Sequence, residues 1–132
     1  MREGRYVAKI DGDYPYEVEV PISWKAGRYS GLVRVGFQCD GGSTGPAGCI
    51  GFPSIGDDME RGYIVHDWLY RGEGDYPRMK RRHADKIMRK LHKQDGVCWT
   101  RRMAAWFAVR RFGRTSWRRH RQYKTQFTEM HR

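Results

Sequence analysis

His66, Asp67 and Tyr70 stand within five consecutive residues, His66-Asp67-Trp68-Leu69-Tyr70, and Asp85 follows fifteen residues after Tyr70. These residue types can do acid–base work. On a helix of 3.6 residues per turn, His66 and Tyr70 share a face, and Asp67 is rotated by about 100° from His66. The imidazole can take a proton at neutral pH, whereas a carboxylate aimed elsewhere suits a hard cation. Asp85, on a second helix, would reach back to orient His66. The same residues also fit a plainer role, a polar network at a helix crossing, and both readings stay open at this point.

The elements that must position them are legible from spacing. A helix is expected from about Met59 to Tyr70, with Asp57 or Asp58 as its N-cap and Glu60 in the first turn. Arg71-Gly72-Glu73-Gly74 stops it. Pro77 can open a second helix that runs to about Gln94, with Met79, Ile87, Met88 and Leu91 facing the core. Its other face is basic, and Arg81, Arg82, Arg89 and Lys90 are its candidate anion-binding residues. A third helix is expected over Thr100 to Phe112; being apolar nearly all round, it is expected to be buried on most sides.

Upstream, Arg5 to Ile10, Tyr16 to Val20 and Leu32 to Phe37 read as strands, with turns at Asp11 to Pro15 and Lys25-Ala26-Gly27. Residues 41–56 hold six Gly and two Pro, which excludes regular structure and leaves a loop with exposed backbone amides and carbonyls. Its spacing fits neither the Walker pattern nor the dinucleotide fingerprint. The expected fold class is α+β: one domain over residues 1–113, with a small antiparallel β region (1–40), the glycine-rich loop (41–56) and three packed helices (59–113). Residues 114–132 form a basic arm in which Arg118 and Arg119 join the candidate anion contacts.

Charge is divided unevenly along the 132 residues. The net charge is +11, yet residues 1–67 carry seven Lys/Arg against ten Asp/Glu, and residues 68–132 carry nineteen against five. A cationic second half calls for an anionic partner: anionic membrane lipid, nucleic acid bound nonspecifically, or another polyanion. No apolar run approaches the 18 residues of a membrane span, and MREGRYVAKIDGDY lacks the apolar segment of a signal peptide. Cys39, Cys49 and Cys98 are sparse and without CxxC spacing, which suits reduced thiols.

Four blocks, VRVGFQCDGGSTGP (33–46), IVHDWLY (64–70), HADKIM (83–88) and MAAWFAVRRFG (103–113), resemble the uncharacterised phage and prophage family called domain of unknown function 1353. That resemblance implies a phage or prophage gene, a location in the host cytoplasm or the virion, and possible phage structural partners. The same blocks look like the catalytic core of the phospholipase A2 superfamily, where a glycine-rich loop precedes HDxxY and a later helix brings a second Asp. This likeness implies a calcium-assisted ester hydrolase. It makes His66 the general base, Asp85 its orienting partner, Tyr70 a supporting hydrogen-bond donor, and Asp67 with backbone groups of Gly42 and Gly45 the calcium site. The departures are the three cysteines in place of many disulfides and a loop without the tight calcium consensus.

Other chemistries fit less well. An HD-type phosphohydrolase needs a histidine upstream of the pair, and His66 is the first in the chain. Neither Cys39 nor Cys49 sits in a nucleophile context, and His66, His83 and His92 are too scattered for a zinc pattern. The expectation is a phospholipase A2-type hydrolase. The alternative is a non-catalytic phage virion or tail accessory, or a basic nucleic-acid-binding protein.

Overall fold

Two-residue alternation and helical periodicity divide the chain where the composition shifts, near residue 40. A computed structural model describes residues 5–10, 16–39 and 57–118. Among them, five short strands precede three helices: β1 (Val7–Lys9), β2 (Tyr16–Val18), β3 (Ile22–Ala26), β4 (Tyr29–Val33), β5 (Gln38–Cys39), α1 (Glu60–Tyr70), α2 (Arg81–Gln94) and α3 (Trp99–Phe112). The architecture is α+β. The glycine-rich loop, with Gly42, Gly45 and Cys49, and the arm beyond Arg118 lie outside the described residues. No helix among the described residues is long and apolar enough to cross a membrane.

Strands β1, β2 and β5 form one antiparallel sheet, with Val7 opposite Val18 and Tyr16 opposite Cys39. A separate hairpin pairs β3 with β4, Ile22 opposite Val33 and Trp24 opposite Gly31. This hairpin replaces the single strand expected over Leu32 to Phe37. Ile22, Trp24 and Ala26 alternate inward while Ser23 and Lys25 face out, so β3 carries its own period-two pattern. Gly27, at φ +60, makes the tight turn that a two-residue hairpin requires. Gly31 leaves room for the Trp24 indole, since a Cβ there would sit 3.0 Å from Trp24 Nε1. The chain then turns at Val35 and Gly36 (φ +96), which separates Val33 from β5.

Helix α1 is the central element, with nine of its eleven residues buried. The third helix was expected to be buried on most sides, and the structure corrects this. On α3 only Ala105, Ala108 and Val109 are buried, while Trp99 and Phe107 are each 64% exposed. Helix α2 begins at Arg81 rather than Pro77, because Tyr76 to Lys80 first turn Met79 into the core. Its expected core set of Met79, Ile87, Met88 and Leu91 is buried. Beyond Gly113 the chain makes a further helical turn to residue 118.

The start of α1 also differs from the expected cap. Met59 is the N-cap, without a side-chain cap bond, and Asp57 and Asp58 pair with Arg101 of α3 at 3.0 and 3.4 Å. Asp57 Oδ1 does accept the Met59 amide at 3.2 Å. Glu60 is fully buried and accepts the backbone amides of Arg5 (3.1 Å) and Tyr6 (2.8 Å), which ties the helix to the chain just before β1.

Gly62 sets the crossing of α1 with α2. A Cβ there would lie 2.3 Å from His92 Cδ2 and 2.5 Å from its Nε2, so the ring occupies the space a side chain would need. His92 is fully buried, stands edge-on to Tyr63 at 5.1 Å, and neither ring nitrogen has a hydrogen-bond partner among the described residues. Burial pushes its pKa down to about 4.

Two outcomes follow from this contact. Gly62→Ala should destabilise by about 2 kcal/mol through overpacking, although alanine is the better helix former by about 1 kcal/mol; chemical denaturation at constant m-value measures it. The unfolded imidazole titrates near 6.5 and the folded one near 4. His92 therefore leaves stability intact above 6.5 and lowers it by about 3 kcal/mol as pH falls to 4. His92→Leu should flatten that part of the stability–pH curve.

Candidate active site

The HDWLY segment lies in the last two turns of α1, so one face presents His66 and Tyr70 together, with ring centroids 4.0 Å apart. Helix α2 meets this face with Asp85, which is fully buried. Asp85 Oδ1 lies 2.7 Å from His66 Nε2 and accepts the Tyr70 hydroxyl at 2.5 Å. An ionised carboxylate can only accept, so Nε2 presents its N–H to Asp85, and in the neutral ring Nδ1 is then the nitrogen with the lone pair. No hydrogen bond engages Nδ1 among the described residues. The structure thus brings His66, Tyr70 and Asp85 together.

Asp85 has further partners that the spacing did not reveal. Arg110 of α3 donates to Oδ2 at 2.7 Å, and Arg81 Nη1 lies 3.7 Å from the same oxygen. Burial alone would push the Asp85 carboxyl up. Hydrogen bonds from His66, Tyr70 and Arg110, with the attraction of His66, outweigh it and hold the group below the ordinary carboxylate value. Tyr70 moves the other way: burial, then the charge of Asp85, pushes its phenol far above the ordinary value, so it stays a donor.

The wall behind Tyr70 is built by the end of α3 and the turn after it. Trp117 stands edge-on to the Tyr70 ring at 5.1 Å. At Gly113 a Cβ would come within 2.8 Å of the Tyr70 hydroxyl and 3.3 Å of Arg81 Nη1, so the absence of a side chain lets these groups reach Asp85. Arg81 also donates to the carbonyls of Val109 (2.9 Å) and Arg110 (3.2 Å), close to the C-terminal end of α3 where carbonyls lack helical partners. Arg110, Gly113 and Trp117 gave no signal in the sequence, because their contacts cross 25 to 47 positions between elements. The one available hint was that RRFG closes one of the four blocks that carry the resemblance.

Asp67 is rotated off this face as expected, and Arg71 takes it. Arg71 Nη2 lies 2.9 Å from Asp67 Oδ2, Arg71 Nη1 donates to the Gln38 carbonyl, and the guanidinium covers the Phe37 ring at 4.9 Å. A calcium ion needs six to eight oxygens. The described residues do not fit it by themselves: the one carboxylate expected to bind calcium already faces a guanidinium, and no group of three His, Cys, Asp or Glu converges among them. Gly42 and Gly45 fall outside the described residues.

The candidate anion contacts are dispersed. Arg81 is turned inward as described. Arg82 and Arg89 line a cleft between α2 and α3, and Lys90 lines a neighbouring cavity beside Arg28. Arg118 is exposed, and Arg119 lies outside the described residues.

A family model described as "Protein of unknown function (DUF1353)" matches residues 16–109. The matched span contains His66, Tyr70 and Asp85 and stops one residue before Arg110. Comparison with curated proteins returned no match, and comparison with solved structures returned none.

Removing the central charge should be costly. Asp85→Asn keeps the shape but leaves Arg110 and Arg81 facing a neutral amide, with an expected loss of about 3 kcal/mol at neutral pH. Because the folded Asp85 pKa is depressed, its contribution is present above the unfolded value near 3.8 and fades as pH falls through the folded value. Denaturation midpoints of the two proteins should therefore converge in strong acid and stay apart at neutral pH.

Proposed function

The chain belongs to the DUF1353 family of proteins of unknown function, and on its geometry we propose that it is a hydrolase in which His66 Nδ1 activates water to attack an ester. The observation that carries this reading is the buried carboxylate of Asp85, bound to His66 Nε2 at 2.7 Å and to the Tyr70 hydroxyl at 2.5 Å. A general base must keep one orientation and one tautomer through the reaction, and this carboxylate imposes both. Nδ1 takes the proton as the water oxygen bonds to the carbonyl carbon. The imidazolium so formed faces Asp85 through Nε2–H. It then returns the proton to the departing alkoxide as the tetrahedral intermediate collapses, giving a carboxylic acid and an alcohol.

The proposed substrate is an acyl ester of an anionic phospholipid, on which the likeness to phospholipase A2 and the cationic second half both bear. A phage or prophage source belongs to the same proposal. Calcium enters as an assay variable and not as a step, because Asp67 is committed to Arg71. A second reading, a non-catalytic polyanion-binding protein, draws on the cations of α2 that have no carboxylate partner among the described residues.

Release of fatty acid from anionic phospholipid vesicles, with calcium and with chelator, tests the proposal. His66→Ala should lower the rate by about 100-fold or more, and Tyr70→Phe by about tenfold if its hydrogen bond to Asp85 is worth 1 to 1.5 kcal/mol. Circular dichroism should show both variants folded. Vesicle binding by the wild type without release in either condition would reject the hydrolase and leave the binding protein.

A further inference from the structure

Helix α2 carries six Lys/Arg and one acidic residue, and that residue, Asp85, is buried. Arg82, Lys86 and Arg89 fall within an arc of about 60° on its surface. Across from them stand Trp106 and Arg110 of α3, and together with His83 these side chains enclose a cleft of about 290 Å³. We infer that this cleft is a binding site for a phosphate group, with Arg82, Lys86, Arg89 and Arg110 supplying the charge and Trp106 the floor. The inference stands apart from ester hydrolysis.

Three of the four cations of the cleft, Arg82, Lys86 and Arg89, have no carboxylate partner among the described residues, and the fourth, Arg110, is paired with Asp85. The ion pairs among the described residues engage Arg61, His66, Arg71, Arg81, Arg101 and Arg110, and none engages Arg82, Lys86 or Arg89. Their arrangement opposes the helix. Arg82 and Lys86 are like charges four residues apart, and Arg81 and Arg82 stand in the first turn, at the positive end of the helix dipole. An anion in the cleft converts both penalties into attraction. His83 registers the same potential, since burial and then the charges of Arg82, Arg28, Lys80 and Lys86 hold its imidazole below the ordinary value.

Two of the guanidiniums are already held in place. Arg89 lies over the Trp106 ring at 4.9 Å, and Arg110 is fixed by Asp85 at 2.7 Å. Converging, oriented guanidiniums suit the several oxygens and high charge of a phosphate group better than a single carboxylate. An adjoining cavity of about 230 Å³ shares His83 and Lys86 and adds Arg28 and Lys90, which gives a second phosphoryl group somewhere to go. Arg110 belongs to both the cleft and the Asp85 cluster, so an anion there competes with Asp85 for its guanidinium.

Calorimetry of the full chain with pyrophosphate tests the site. One-to-one binding is expected, weakened by about tenfold or more for each guanidinium removed in Arg82→Gln and Arg89→Gln. Lys93→Gln removes an exposed charge of the same helix outside the cleft and should change affinity less than about twofold. Addition of pyrophosphate should also move the His66 imidazole resonances of the wild type and leave those of Arg110→Gln in place. Pelleting with phosphatidic acid vesicles, competed by pyrophosphate, would assign the phosphate to a lipid headgroup; pyrophosphate binding without pelleting would assign it to a soluble ligand. No pyrophosphate binding, equal losses in Lys93→Gln and Arg89→Gln, or binding confined to long nucleic acid would overturn the inference.

Discussion

A single carboxylate without access to water organises the helical half of the molecule. Ionised and buried, Asp85 needs donors and positive charge: His66 and Tyr70 donate from α1, Arg110 donates from α3, and Arg81 of its own helix stands 3.7 Å away as an ion-pair partner. Moving such a charge out of water costs several kcal/mol, so the helices gain most when all the donors are in place at once. Gly62 and Gly113 serve this requirement from either side. One lets α2 approach α1 beside His92, and the other lets Tyr70 and Arg81 close on Asp85.

Much of this was legible from spacing, and the part that was not has a physical reason. The contact of His66 and Tyr70 follows from helical periodicity, and Asp85 was singled out by its place on a second expected helix fifteen residues after Tyr70 and by the resemblance. Arg110 was not, since no local rule relates residues of different helices, and a sequence reading saw only an arginine after an apolar run. The apolar run itself misled. Met103, Trp106 and Phe107 suggested a buried helix, yet on α3 only Ala105, Ala108 and Val109 are buried, while Met103 and Trp106 are half-buried and Phe107 is exposed. The β region failed in a related way. Val33 and Phe37 read as one strand, whereas Ile22, Trp24 and Ala26 held the stronger alternation and took Val33 as the end of their hairpin.

The charge division along the sequence becomes a division of labour in space. Acidic residues near the start of α1 meet Arg101, and Asp95 after α2 meets Arg61, so carboxylates outside the Asp85 cluster secure helix ends. Asp67, expected to meet a cation, meets one supplied by the chain: Arg71, which also fastens α1 to β5 through Gln38. The surplus of positive charge is left on the outer face of α2, where nothing among the described residues balances it.

Glu60 gives the first strand an unusual dependence. Its carboxylate holds the amides of Arg5 and Tyr6 from the first residue of α1, more than fifty positions away. The segment leading into β1 is therefore secured by a helix terminus as well as by its pairing with β2. Peeling it away would take two backbone donors from the buried Glu60 carboxylate, so release of this segment is coupled to the most buried helix among the described residues. The sheet edge and the helix are therefore expected to open together, with the amide of Tyr6, held by Glu60, exchanging with solvent along with that unit.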